Sequence, residues 1–277
     1  MLVFEIITVG NELLDGTVVN TNAAWLAKRI SELGFVVRRY TAVGDDIGEI
    51  ASAIREAIKR GADWIVLSGG LGPTFDDKTL EAVAYALGRK LELNSEALDM
   101  VRRKYESYSR ETGREIKLTR ERVKMATLPE GARPLPNPAG TAPGVIVEAG
   151  EVTIVALPGV PREMKAIFEE SIAPVLKSKG GLKTARVVLK VAGVMESTAA
   201  PHIERVVREH RRVYVKSHPK GEERKPVLEI HLISRSESLK EAAEEAERAA
   251  EKLRKLLEEE GGRVEVVHHH AADKQAS

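Results

Sequence analysis

Cysteine is absent from the 277-residue chain, which excludes disulfides, thiolate metal sites and a cysteine nucleophile. No stretch approaches the roughly 20 apolar residues needed to cross a bilayer. The amino-terminal MLVFEIITVG has neither a basic n-region nor a small-residue cleavage site, so no signal peptide is expected. There is no excess of either charge: charged residues make up 31% of the chain, yet the net charge is +1. Such balance gives no reason to expect nucleic acid or an anionic membrane as partner. The patterns GxxxxGKS/T, GxGxxG after a strand and GxSxG are also missing, which argues against a P-loop NTPase, a conventional dinucleotide dehydrogenase and an α/β-hydrolase. A cytoplasmic protein is the expectation.

Side-chain amides are scarce as well. Gln275 is the only glutamine, and there are five asparagines. Abundant Lys, Glu and Arg with few amides resembles the composition of heat-adapted proteins. Four of the asparagines, Asn11, Asn20, Asn22 and Asn137, fall in motif-like segments. They are needed either for a ligand or for ordinary turn chemistry.

What is present is ample apolar content, 43% of residues, arranged in two rhythms. Through residue 178 strand and helix signals alternate. FEIITVG, FVVRRYTAV and WIVLS read as strands. NTNAAWLAKRISELG, DDIGEIASAIREAIKRG and TLEAVAYALG read as helices, with Leu26, Ile30 and Leu33 at helical spacing and Gly34 as a stop. Further helices are expected near 94–112 and 119–126, a Pro-rich loop at ARPLPNPAGTAPG, and a hairpin turning near Ala149-Gly150. A single helix is expected over PREMKAIFEESIAPVLKS. This alternation implies an α/β domain with a mostly parallel sheet and helices on both faces. Beyond a linker at 177–183, residues 184–267 follow the order β-α-β-β-α-β, a ferredoxin-like split βαβ pattern. The tail HHHAADKQAS is expected to fray.

Candidate chemistry collects where strands end, since open α/β sheets bind ligands beyond the carboxyl ends of their strands. After WIVLS comes SGGLGPTFDD. Gly69, Gly70 and Gly72 allow close backbone approach, so Ser68, Gly69, Gly70, Gly72, Pro73 and Thr74 are candidate phosphate contacts, with the helix starting near Lys78 offering N–H groups. Carboxylates beside phosphate need an intervening cation. Asp76 and Asp77 are therefore read as divalent-metal ligands, or else as helix caps. In VGNELLDG, Gly10, Asn11 and Glu12 fall on the same edge, and Glu12 would order a sugar hydroxyl or a metal-bound water or be a solvated turn carboxylate. Asn20 or Thr21 is a plausible helix cap, and Asn22 could hydrogen-bond a nucleotide or pterin. In VGDD, one of Asp45 and Asp46 would cap the next helix while the other joins Asp76 and Asp77. The loop NPAGTAPG, with Asn137, Gly140 and Thr141, and the segment LPGVPREM could line the same pocket. In the second half, Lys216 and His218 would add positive charge to an anionic-substrate site or form a solvated basic loop.

These segments, ITVGNELLDGTVVNTNAAWLAKRISELG, VGDD, SGGLGPTFDDKTLEAVA, NPAGTAPG and LPGVPREM, together resemble the N-terminal domain of the competence/damage-inducible CinA family, itself similar to the molybdopterin-binding MoaB/MogA domain. The resemblance covers residues 1–170. It implies a three-layer MoaB/MogA-like domain over 1–178, followed by a small α+β domain over 184–267. It implies divalent-metal-dependent hydrolysis of the ADP-ribose pyrophosphate, with adenylyl transfer to molybdopterin, or nucleotide or pterin binding without turnover, as alternatives. The C-terminal domain that deamidates nicotinamide mononucleotide has no room in 277 residues, so that activity is not transferred; a separately encoded deamidase is an expected partner. Related proteins suggest a homo-oligomer. On this reading Asp45, Asp76 and Asp77 are the candidate catalytic groups, and Asp46, Asp76 and Asp77 would hold Mg²⁺, Mn²⁺ or Co²⁺.

Overall fold

A computed structural model describes residues 2–114, 117–221 and 226–271, with side-chain surroundings described through 267. The chain divides between Lys179 and Gly180 into two compact units. The first holds β1 (Val3–Val9), α1 (Asn11–Leu14), α2 (Thr21–Glu32), β2 (Val36–Val43), α3 (Ile47–Lys59), β3 (Trp64–Ser68), α4 (Thr79–Leu87) and β4 (Leu91–Leu93). It continues with α5 (Ser95–Thr112), α6 (Arg120–Lys124), β5 (Thr127–Pro129), β6 (Arg133–Leu135), β7 (Gly144–Ala149), β8 (Val152–Leu157), α7 (Pro161–Ile167), a π-helical turn over Phe168–Ile172, and α8 (Ala173–Lys179).

Six strands form one sheet in the order β2-β1-β3-β8-β7-β6. Strands β2, β1, β3 and β8 are parallel neighbours, while β7 and β6 run antiparallel. Side chains alternate across a strand, and here both faces are apolar. Ile7, Ile65 and Leu67 pack with Ile50 and Ile54 of α3 and Val83 of α4. Phe4, Ile6 and Val66 pack on the other face with Leu26 and Ile30 of α2 and with Met164, Phe168 and Leu176. Each buried Ile, Leu or Phe contributes roughly 1.5–3 kcal/mol, and the result is three layers. All four parallel strands present their carboxyl ends on one edge, where the candidate loops emerge.

Local chemistry sets the helix starts. Asn20 caps α2 by accepting the Ala23 N–H at 3.1 Å, and Asp46 caps α3 by accepting the Glu49 N–H at 3.0 Å. Thr21 and Asp45, the alternatives, do not serve as caps. The helix expected over PREMKAIFEESIAPVLKS is interrupted by the π-helical turn. Pro174 follows it, lacks an N–H and crowds the preceding turn, and a widened turn accommodates both defects. The Pro-rich loop contains β6, paired with β7. Strands β4 and β5 form a separate two-stranded sheet.

The second unit comprises β9 (Lys183–Ala192), α9 (Glu196–Glu209), β10 (Val213–Pro219), β11 (Val227–Ser236), α10 (Leu239–Glu259) and β12 (Arg263–Ala271). Its sheet, in the order β10-β11-β9-β12, is antiparallel throughout, the ferredoxin-like arrangement. Alanines 242, 246, 249 and 250 with Leu253 and Leu257 give α10 a buried stripe against β9 and β11. One expectation is corrected: the last strand does not stop at Val267. It runs to Ala271, because β9 offers partners through Arg186 and Ala185. Among the described residues no helix is long and apolar enough to cross a membrane.

Candidate functional site

The ends of β1, β3 and β8 meet at Gly69. Its N–H donates to the Leu157 carbonyl at 3.0 Å, its φ is +117°, and a Cβ there would collide with the Val9 carbonyl oxygen. Only glycine allows three strand ends to close this tightly. Gly70 follows at φ +67°, pressed against Thr79. The Thr79 hydroxyl donates to the Gly69 carbonyl at 2.8 Å, and its N–H donates to the Gly70 carbonyl at 3.2 Å. The loop therefore folds back on the start of α4 and uses one of the helix N–H groups expected to face a phosphate.

Above this floor, Asn22 spans β3 and β8. Its Nδ2 donates to the Ser68 hydroxyl at 3.0 Å and to the Gly159 carbonyl at 2.7 Å. Ser68, only 2% exposed, donates in turn to the Pro158 carbonyl at 3.1 Å. The Asn22 Oδ1 is buried and has no hydrogen-bond partner. Such an acceptor is costly unless something donates to it. By contrast, Asn20 is fully used: its Nδ2 donates to the Thr8 hydroxyl at 2.8 Å while its Oδ1 caps α2.

The four aspartates are placed in pairs. Asp45 and Asn11 exchange hydrogen bonds, the Asn11 N–H to Asp45 Oδ2 at 2.9 Å and the Asp45 N–H to Asn11 Oδ1 at 3.3 Å, clasping the ends of β1 and β2. A Cβ on Gly44 would lie 2.7 Å from that Asn11 oxygen. Asp46 is the α3 cap. The expected gathering of Asp45 or Asp46 with Asp76 and Asp77 around one cation does not occur. Among the described residues no three His, Asp or Glu side chains are grouped so as to hold a metal ion; Asp45 and Asp46 each accept a backbone N–H instead. Glu12, in α1, is exposed and folds its carboxylate over Gly10.

Asp76 and Asp77 converge on Thr74. The Thr74 hydroxyl lies 2.5 Å from Asp76 Oδ1 and 2.5 Å from Asp77 Oδ2, and the Thr74 N–H donates to Asp77 Oδ2 at 2.8 Å. A hydroxyl has one proton and can serve one of these carboxylates at a time. The Thr74 hydroxyl, the Asp76 N–H and the nearby Lys124 and Lys78 ammonium groups hold the Asp76 carboxyl below its usual range. Lys124 reaches from α6 to donate to the Thr74 carbonyl at 2.5 Å. Neither aspartate caps α4; the capping position is Lys78, whose side chain makes no cap. Asp76 is exposed and Asp77 half-buried, so the two carboxylates flank one hydroxyl without forming a closed protein cage. Pro73 follows Gly72, whose Cβ would lie 2.6 Å from Asp77 Oδ2.

Asn137 organises its own loop. It is 6% exposed; its Nδ2 donates to the Ala142 carbonyl and to Glu163 Oε2, both at 2.7 Å, and its Oδ1 accepts from the Ala139 and Gly140 N–H groups at 3.0 and 2.8 Å. Both ends of the Asn137 side-chain amide are thus engaged within the fold. Glu163, in the first turn of α7, packs against Gly140 where a Cβ would stand; Thr141 follows in the same loop, half-buried. Sequence reasoning gave Glu163 no role of its own, although it lies in the LPGVPREM segment, two residues after Pro161 at a helix start. Lys216 and His218 lie on β10 of the second unit. The His218 ring meets that of His231 edge-on at 5.1 Å, and His231 Nε2 sits 2.6 Å from Glu229.

Residues 5–178 match the family model described as "Probable molybdopterin binding domain". A protein of Pyrobaculum arsenaticum is 50% identical over 259 residues, 93% of this chain and 95% of the relative. One of Aeropyrum pernix is 48% identical over 263 residues, 94% of this chain and 95% of the relative. Among solved structures, the protein CinA of Thermoplasma acidophilum, of unknown function, is 42% identical with a TM-score of 0.57, over 63% of this chain and 98% of that one.

Proposed function

We propose, from the premise that this chain belongs to the molybdopterin-binding domain family, that the carboxyl edge of β1, β3 and β8 binds a phosphorylated pterin or an adenine nucleotide. The observation that carries this reading is Asn22 Oδ1, a buried acceptor without a partner beside Ser68 and Gly159. It would accept an N–H or O–H from the ligand's ring or sugar. Since the Gly69 and Thr74 N–H groups are engaged within the fold, the amides of Gly70, Leu71 and Gly72 would receive phosphate oxygens.

The chemistry that fits is formation or cleavage of an adenylyl–phosphate bond. In the transfer direction, a pterin phosphate oxygen attacks the α-phosphorus of ATP and pyrophosphate leaves. The Thr74 hydroxyl shared by Asp76 and Asp77 supports a divalent ion arriving with the phosphates, where it would neutralise charge on the leaving group. The same arrangement favours a second reading, hydrolysis of the ADP-ribose diphosphate by water to AMP and ribose 5-phosphate.

Calorimetric titration of AMP, ATP and ADP-ribose with and without Mg²⁺, Mn²⁺ and Co²⁺, followed by product analysis, tests both. Binding is expected to weaken about tenfold in Asn22→Ala, the effect of losing one buried hydrogen bond. Metal dependence is expected to be lost in Asp76→Asn/Asp77→Asn. Binding in the Asn22 variant equal to that of the unaltered protein would remove the basis of the proposal.

A further inference from the structure

Phe75 is the feature of this edge that neither phosphate nor cation uses. Of the four phenylalanines, Phe4, Phe35 and Phe168 are 2% exposed or less, whereas Phe75 is 89% exposed. A single exposed apolar side chain is ordinary, but its setting is not. The turn that bears it is pinned on both sides. The Thr74 N–H donates to Asp77 Oδ2 at 2.8 Å, the Asp77 N–H returns to the Thr74 carbonyl at 3.3 Å, and Lys124 holds that same carbonyl. Among the described residues the Phe75 ring meets no other aromatic ring and no cation. Exposed Val19 lies between α1 and α2, and exposed Val160 on the loop that leaves β8, a neighbour of β3. A phenyl ring is thus held in water on a braced turn, one and two residues from the carboxylates assigned to the phosphate end of the ligand.

We propose that Phe75 is a stacking residue for the planar heterocycle of the ligand, adenine or pterin, while Thr74, Asp76, Asp77 and the glycine run serve its phosphates. This rests on the reading of the edge as a pterin or nucleotide site. Stacking on an aromatic side chain tolerates any flat ring, so Phe75 contributes affinity for heterocycles in general, and a hydrogen bond donated by the ring or sugar to Asn22 Oδ1 selects among them.

The test compares three probes, AMP, a monophosphorylated pterin and inorganic pyrophosphate, on the full chain with Mg²⁺ present. Phe75→Ala is expected to weaken both ring-bearing probes about tenfold, the fold-change for a stack worth about 1.4 kcal/mol, and to leave pyrophosphate unchanged. Phe75→Trp is expected to hold or tighten the ring-bearing probes, and Phe75→Leu to fall between. Equal binding of AMP and pterin by Phe75→Ala overturns the inference but leaves the site reading intact. A parallel loss of pyrophosphate overturns it too, because the ring would then be shaping the turn. So does a change in sedimentation behaviour with ligand affinity unaltered, which would place Phe75 between copies of the chain. If the unaltered protein binds none of the probes, the underlying reading fails and the inference with it.

Discussion

Asn22 donates to the Ser68 hydroxyl at 3.0 Å and to the Gly159 carbonyl at 2.7 Å, so one side chain from the first turn of α2 fastens the end of β3 to the loop after β8. Its donor end is structural and its acceptor end, Oδ1, is unpaired. Asn22→Ala is therefore expected to lower stability by about 1–2 kcal/mol through the lost bonds. Asn22→Asp is expected to cost more, since a carboxylate would face the Gly159 carbonyl oxygen with no proton to offer. Urea unfolding of the two variants checks the order; an aspartate variant as stable as the alanine variant would show that the donor role is misassigned.

Gly69 and Gly88 both have positive φ, +117° and +64°, yet differ in surroundings. Nothing lies within 4 Å of a Cβ on Gly88, whereas a Cβ on Gly69 meets the Val9 backbone. Gly88→Ala is expected to cost about 1 kcal/mol, the strain of a left-handed residue. Gly69→Ala adds a clash that β1 cannot relieve without moving, and is expected to cost on the order of 3 kcal/mol or to prevent folding. Equal midpoints in chemical denaturation would contradict the close approach of β1 and β3.

How much of this was legible follows from the range over which each signal acts. The alternating strands and helices, the hairpin at Ala149-Gly150 and the β-α-β-β-α-β order depend on periodicity and turn residues near in sequence, and they are present as read. Asp46 and Asn20 as caps are local too, although sequence alone left Thr21 and Asp45 open. The rest depends on which strands become neighbours. Asn11 and Asp45 clasp each other only because β1 pairs with β2, which places Asp45 against Asn11 and not beside Asp76 and Asp77. Strand β6 hides in a proline-rich stretch until β7 supplies its partner, and β12 continues past Val267 because β9 does. Asn137 reads as a ligand contact by composition, but Glu163, 26 residues away, completes its hydrogen bonds.

Glu5 is 1% exposed on β1 and is held by Arg60, whose Nη2 donates at 2.7 Å and Nε at 3.0 Å. The Glu5 carboxylate is the first cause keeping the Arg60 guanidinium protonated beyond its ordinary range. Removing one partner strands a buried charge, which costs far more than losing an exposed pair. Arg60→Met is expected to lower stability by about 3 kcal/mol, and the double variant Arg60→Met/Glu5→Leu to recover most of it. Ligand affinity is expected to stay unchanged in both, because the pair sits toward the amino end of β1, away from the edge that carries Asn22. Unfolding midpoints and nucleotide titration on the same samples check the two halves of this expectation.

Acid sensitivity of the second unit is expected to centre on Glu245. Arg248 Nη2 donates to its Oε2 at 2.6 Å, and His210 Nδ1 lies 2.9 Å from its Oε1. The Arg248 hydrogen bond, then that of His210, holds the Glu245 carboxyl below its ordinary value of 4.5. A carboxyl whose folded-state pKa is depressed binds a proton more readily when unfolded. It therefore stabilises the fold fully above the ordinary glutamate value and loses that contribution as pH falls through the lowered one. Glu245→Gln removes the charge and with it this dependence. Near neutrality the unaltered protein is expected to be more stable by on the order of 1 kcal/mol, and the gap to close as pH falls from the ordinary glutamate range into more acid solution. Calorimetric unfolding of both proteins across that range is the check: a gap that stays constant in acid would mean that Glu245 acts through packing, not through its charge.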